Sequence, residues 1–315
     1  METLHLKTPL IESRPLSLLM HATVLLKMET FQPVGSFKIR GIGHACRQAV
    51  QEGAGRLVAS SGGNAGYAVA YAGRKLEVPV TVVVPETTPE WTRDIIRREG
   101  ATVVEHGWAW DDAHAFASEM TGEKKTAYIP PFDDPRIWDG HATLIREIAA
   151  SGPKPEAIVV AVGGGGLLCG VLQGLHEADW TDVPVLAVET EGAASLAASV
   201  AAGRLVTLPR ISSIATTLGA RRVAAEALAW TARHPVIPWT VRDRAALDAC
   251  FRFADDHRML VEPACGAGLS TLYDKAAPLE GKSPVLVIIC GGAGVSLSLL
   301  REWDKKVPKG NTLAF

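Results

Sequence analysis

Disulfide chemistry has almost nothing to work with in this chain. Its five cysteines, Cys46, Cys169, Cys250, Cys265 and Cys290, are an odd set with no C-x-x-C pair. That argues against a disulfide framework and offers no zinc-ligand spacing. A reducing, cytoplasmic compartment is the simplest setting for them. Long apolar runs are missing too: the strongest, "AIVVAV" and "VLVIIC", are far too short to span a bilayer. The N-terminal "METLHLKTPLIESRP" lacks the basic start and apolar core of a signal peptide. No Lys/Arg run occurs and the formal net charge is -2, so nothing invites nucleic acid. Familiar catalytic signatures are absent as well, with no G-x-S-x-G elbow and no H-E-x-x-H. "EGKS" ends like a P-loop, yet Ala276 stands where the leading glycine belongs.

What is there describes a globular chain. Its 315 residues, 47% hydrophobic and 21% charged, leave room for one large domain or two of ordinary size. Short apolar runs repeatedly end in small residues and lead into helical patterns, as in "RLVASSGGNAGYAVAYAGRKL", "VPVTVVVPETTPEWTRDIIRREG" and "AIVVAVGGGGLLCGVLQGLHEA". "PVLAVET" and "PVLVIICGGAGVSLSLL" extend the series. Strands alternating with helices predict an α/β fold with parallel sheet covered on both faces. Two lobes are expected, because Gly-rich turns lie early and late. "YIPPFDDPRIWDGHATLIREI" reads as the crossover between them, a Pro-rich loop leading into a helix.

Four glycine-rich segments read as turns: "SSGGNAG" (60–66), "GGGG" (163–166), "EPACGAG" (262–268) and "CGGAG" (290–294). A glycine-rich turn between strand and helix exposes backbone N–H groups where the helix dipole favours an anion. Each is also readable as a tight turn and nothing more. Four successive glycines are costly in chain entropy, and a phosphate cradle is the gain that would offset them. The run is not a dinucleotide fingerprint, since Leu168 or Cys169 stands where the third glycine of G-x-G-x-x-G is needed. Glu262 is equally read as a helix-start charge beside Pro263, and Cys290 as a small buried hydrophobe. Lys38, in "PVGSFKIRG", would be a surface lysine by default. Burial behind Phe37 near a helix start would instead lower its pKa and make it a nucleophile.

Together, "GSFKIRG", "SSGGNAG", "GGGGLLCG", "EPACGAG" and "CGG" stand in the order and spacing of the fold-type II pyridoxal-phosphate enzymes. The chain most resembles the short L-serine/L-threonine dehydratase (deaminase) group. "IPPFDDPRIWDGHATL" and "VPVLAVETEGAAS" are similar to that group's connecting segments, so the resemblance covers nearly the whole chain. It implies a tryptophan synthase β-like fold of two lobes, each with a mainly parallel sheet flanked by helices. A discontinuous large domain (1–42 and 138–315) would bind the cofactor and 43–137 would form a small domain, in a homodimer. Lys38 would carry pyridoxal 5'-phosphate in imine linkage. Phe37 would pack on its ring, Asn64 would bond its 3'-oxygen and Cys290 would face the pyridine nitrogen. Gly163, Gly164, Gly165, Gly166 and Leu167 would hold the phosphate. Ser61, Gly62, Asn64 and Ala65 would hold the substrate carboxylate. A monovalent cation, K+ by expectation, would sit on Glu189 and the carbonyls of Gly163, Ala193, Leu218 and Ala220.

The implied reaction is β-elimination of a small β-hydroxy amino acid, giving pyruvate from serine or 2-oxobutanoate from threonine, plus ammonia. A neutral Cys290 would leave less charge in the ring than an acid would, favouring elimination over racemisation. Two positions depart from the liver-type members. Gly62 replaces alanine, and is expected to set rate and substrate range with room for a methyl toward the substrate or cofactor edge. Ala220 replaces valine, where only the carbonyl would matter. The length argues against a biosynthetic threonine deaminase with a regulatory domain. Serine racemase, threonine synthase or cysteine synthase chemistry, or a non-catalytic amino-acid-binding relative, are the competing readings.

Overall fold

The computed structural model describes residues 3–122 and 125–309. Ten strands form its two sheets: β1 (Leu10–Glu12), β2 (Val24–Met28), β3 (Arg56–Ala59), β4 (Val80–Val84), β5 (Thr102–Glu105), β6 (Thr126–Tyr128), β7 (Ala157–Ala161), β8 (Val185–Thr190), β9 (Val236–Val241) and β10 (Val285–Ile289). The larger sheet has the order β1-β2-β10-β7-β8-β9 and the smaller β5-β4-β3-β6. Every pairing is parallel except β1 with β2 at one edge. β4, β7, β8 and β10 are buried along their whole length, as continuous β-branched runs covered on both faces require. β9 is a strand that the sequence pattern does not announce. Pro238 interrupts it, and it forms at the open edge of the sheet beside β8, where a missing N–H is tolerated.

Two main apolar clusters follow the two sheets. The smaller sheet shares its cluster with Ile39, Ile42 and Cys46 of the Lys38–Gln51 helix and with Ile137. The expected domain limits at 42/43 and 137/138 therefore fall inside that helix and inside the Pro135–Ser151 helix. These two helices cross backbone to backbone. A Cβ on Gly41 would lie 2.5 Å from the Ile137 carbonyl, and one on Gly140 2.4 Å from that of Arg40. Beside the crossing, the fully buried Arg40 is held by Glu29 at 2.7 Å and by Glu147 at 2.7 Å, with Lys27 2.6 Å from Glu147. Removing one member of such a buried network costs about 3–5 kcal/mol. It fixes the helix that begins at Lys38.

One expectation is corrected. "EPACGAG" is not a turn: Pro263–Tyr273 is a helix, buried at every position, packed under the larger sheet. Its small residues let it lie close to its neighbours. Among the described residues no helix is long and apolar enough to cross a membrane.

Candidate active site

The segment carrying Lys38 is zipped to the turn that follows β10. Ser36 bridges Gly291, the Phe37 amide donates to the Cys290 carbonyl at 3.1 Å, and the Gly292 amide donates to the Gly35 carbonyl at 2.9 Å. Lys38 is the first residue of its helix, and its Nζ donates to the Pro131 carbonyl at 2.6 Å. Burial of the amine lowers its pKa to about 8, against the opposing pull of Glu262 and Cys290. It is thus a lysine that loses its proton near neutrality. The hydrogen-bonding neighbour Cys265 and burial together push the Cys290 thiol well above its ordinary pKa, so Cys290 is neutral.

Gly163–Gly166 close the turn from β7 into the Gly166–Glu177 helix. Side chains do not fit there. A Cβ on Gly164 would lie 2.3 Å from the Phe132 ring, and one on Gly163 3.0 Å from Leu218 Cα. Gly165 has φ +88° and would meet Ala227 Cβ at 2.6 Å. Glycine leaves the helix-start N–H groups uncovered, and Leu167 continues the first turn.

From the smaller lobe, Ser60–Gly63 lead from β3 into the Asn64–Leu76 helix. Ser61 Oγ accepts from the Gly63 amide at 3.3 Å, and Ala65 is buried in the first helical turn. Gly62 differs from expectation. A methyl on it would run into Thr88 Cγ2 at 2.6 Å and Val84 Cγ1 at 3.4 Å, side chains of its own lobe. Asn64 crosses the cleft: its Nδ2 donates to Glu262 Oε1 at 3.0 Å, and its Oδ1 accepts from the Ala293 amide at 3.2 Å.

Lys38, Asn64, the four glycines and Cys290 are thus neighbours: Lys38 bonds Pro131, the adjacent Phe132 walls Gly164, Phe37 bonds Cys290 and Asn64 bonds Ala293. Glu189 lies next to the glycine turn, because the Val162 amide bonds the Val188 carbonyl. Its carboxylate accepts from the Leu196 and Ala197 amides, each at 2.8 Å, and burial raises its pKa to about 7. Leu218 touches Gly163, the Ala220 amide donates to the Leu218 carbonyl at 2.8 Å, and the Ala193 amide caps back onto Thr190.

A family model for pyridoxal-phosphate dependent enzymes matches residues 1–291. The chain belongs to that family. It is 47% identical to the human L-serine dehydratase/L-threonine deaminase, over 99% of this chain and 98% of that one. It is 43% identical to a Dictyostelium discoideum L-serine dehydratase, over 97% and 93%. The crystal structure of a Rhizomucor miehei L-serine ammonia-lyase superposes with a TM-score of 0.92 at 41% identity, covering 98% of this chain and 100% of that one.

The residues present fit the family's cofactor: a glycine turn at a helix start whose packing admits no Cβ, a desolvated lysine amine and a neutral thiol beside the lysine. Pyridoxal phosphate is accordingly the cofactor of this family member. Three further residues stand here to which the sequence assigned no part in the site. Glu262 and Thr217 join Asn64, the Thr217 hydroxyl donating to Glu262 Oε1 at 2.7 Å. His141 is fully buried with its ring 4.9 Å from that of Phe37, and neither nitrogen has a partner among the described residues. Burial, then the Lys38 charge, hold His141 neutral.

Proposed function

We propose that this protein dehydrates and deaminates L-serine and L-threonine, giving pyruvate or 2-oxobutanoate plus ammonia. The observation that carries the reading is the pairing of the Lys38 amine, with a pKa near 8, with a side-chain-free glycine turn linked to it through Pro131 and Phe132. When bound, pyridoxal phosphate supplies an electron sink for the charge left at the substrate's Cα. Lys38 would anchor it, and its free amine would take the α-proton; an amine of this pKa is well matched to that work near neutral pH. Gly163 to Leu167 hold the phosphate through backbone N–H groups. Asn64 would donate to the ring oxygen, Phe37 would lie against the ring, and Cys290, a neutral thiol, would face the ring nitrogen. Ser61, Gly62, Asn64 and Ala65 hold the substrate carboxylate at the helix start. The β-hydroxyl leaves as water, and one water returns in hydrolysis to the keto acid and ammonia.

Around this centre, Glu189 with the carbonyls of Gly163, Ala193, Leu218 and Ala220 takes a monovalent cation, K+, whose charge offsets the burial of the carboxylate. The division into a large domain (1–42 and 138–315) and a small one (43–137), a homodimer and a cytoplasmic setting belong to the same reading. All five cysteines are free and buried, as suits a reducing compartment. The test is a product assay. L-serine should yield pyruvate and ammonia one to one, and Lys38→Ala should abolish both. D-serine as the main product would replace the reading with racemisation.

A further inference from the structure

Glu262 stands at the start of the Pro263–Tyr273 helix yet makes no capping bond with its side chain. The carboxylate turns away from the helix and into the cleft instead. It is 4% exposed, and Oε1 takes two hydrogen bonds, from Thr217 of the larger lobe and Asn64 of the smaller. Oε2 lies beside Gly294, where a Cβ would stand 3.4 Å away. A Cβ at Gly292 would be 2.5 Å from Glu262 Cγ, so the glycine turn after Cys290 is shaped around this side chain.

We propose that Glu262 is a positioning residue for Asn64, fixing which face of the Asn64 amide is offered to the cofactor. This inference rests on the function proposed above. An asparagine has two N–H donors and one acceptor oxygen, and its two orientations differ only by a flip. Here the oxygen is taken by the Ala293 amide and one N–H by Glu262. The flipped amide would set oxygen against carboxylate and N–H against N–H. Burial raises the Glu262 pKa against the pull of the Thr217 and Asn64 hydrogen bonds; as a carboxylate it accepts only, so it enforces the orientation, and the Thr217 hydroxyl holds it in register. One N–H is left, and it is the donor that Asn64 can present to a bound ring. Glutamine at 262 can donate as well as accept, and so loses the enforcement while keeping size and shape.

The experiment uses the full chain, stripped of cofactor and titrated with pyridoxal 5'-phosphate, in wild type, Glu262→Gln, Asn64→Ala and the double variant. Affinity and the absorption spectrum of the bound cofactor are read, with the melting point of the cofactor-free proteins as the fold control. Glu262→Gln should weaken binding about tenfold, the range of a hydrogen bond to a charged group. It should change the spectrum in the same sense as Asn64→Ala. The double variant should bind no worse than Asn64→Ala alone, since coupled residues do not add. If Glu262→Gln lowers the melting point, Thr217→Val reads the same coupling. It should weaken binding about threefold in the wild type, as loss of a modest hydrogen bond does, and not at all in Asn64→Ala. Losses that multiply, or a Glu262→Gln protein that matches wild type in affinity and spectrum, would overturn the inference alone. A wild type that binds no cofactor would overturn the proposed function and this inference with it.

Discussion

The two glycine loops of the candidate site are built to different tolerances. Gly163–Gly166 is walled by main chain and by packed side chains: Leu218 Cα, the Phe132 ring, Val223 and Ala227. In Ser60–Gly63 the wall behind Gly62 is the end of a threonine side chain. Main chain and a close-packed ring give way only by disturbing the core around them, whereas the end of a threonine side chain can turn aside. The phosphate side of the site is therefore preset, and the substrate side is adjustable by exchanging small residues in pairs.

The sharpest way to break this comparison is to put the same methyl in both loops. Gly164→Ala should weaken pyridoxal phosphate binding at least a hundredfold in an absorbance titration, because the Phe132 ring at 2.3 Å has to leave its packing. Gly62→Ala should be milder, an overpacking of about 1–3 kcal/mol seen as a lower melting point. Thr88→Ser removes the methyl that stands 2.6 Å from the new Cβ. The Gly62→Ala/Thr88→Ser pair should melt like wild type. A Gly62→Ala protein that itself melts like wild type would show that Thr88 does not wall this loop.

How far this was legible in the sequence follows from chain distance. Lys38, Asn64, the tetraglycine and Cys290 each sit where a strand ends or a helix begins, which the local pattern shows; their roles were legible only through the resemblance to a family. Glu262 also stands at a helix start, yet its role is hidden because its partners Asn64 and Thr217 lie 198 and 45 residues away. Alone beside Pro263 it reads as a helix-start charge. "EPACGAG" misleads for a related reason: its glycines allow close packing inside a buried helix, and in sequence they look like a turn. The Thr88 contact behind Gly62 joins two loops of one lobe and left no mark that a single chain displays. β9 escaped notice because a proline is permitted only once the strand's edge position is known.

Two smaller effects sharpen the contrast. The preset side includes Glu189, and potassium should raise the melting point by a few degrees over a lithium control at equal ionic strength, as binding to the folded state alone must. Glu189→Gln should abolish the difference; an equal potassium shift in that variant would remove Glu189 from the cation site. The amine of Lys38 carries a cost in stability. Its pKa is about 8 folded against the ordinary 10.5, so the unfolded chain binds more protons between those values and stability rises with pH across that window. Cofactor-free Lys38→Met should melt roughly 2 °C or more above wild type at pH 7, with the gap closing between pH 8 and 10.5. A gap that stays constant with pH would mean that the Lys38 amine is not desolvated.

The most direct measurement is chemical. The holoenzyme is reduced with borohydride, digested, and the pyridoxyl-bearing peptide sequenced by mass spectrometry. The account predicts a single labelled peptide containing "GSFKIRG" with the adduct on Lys38. A label on any other lysine, or a reduced protein with no adduct, would contradict it.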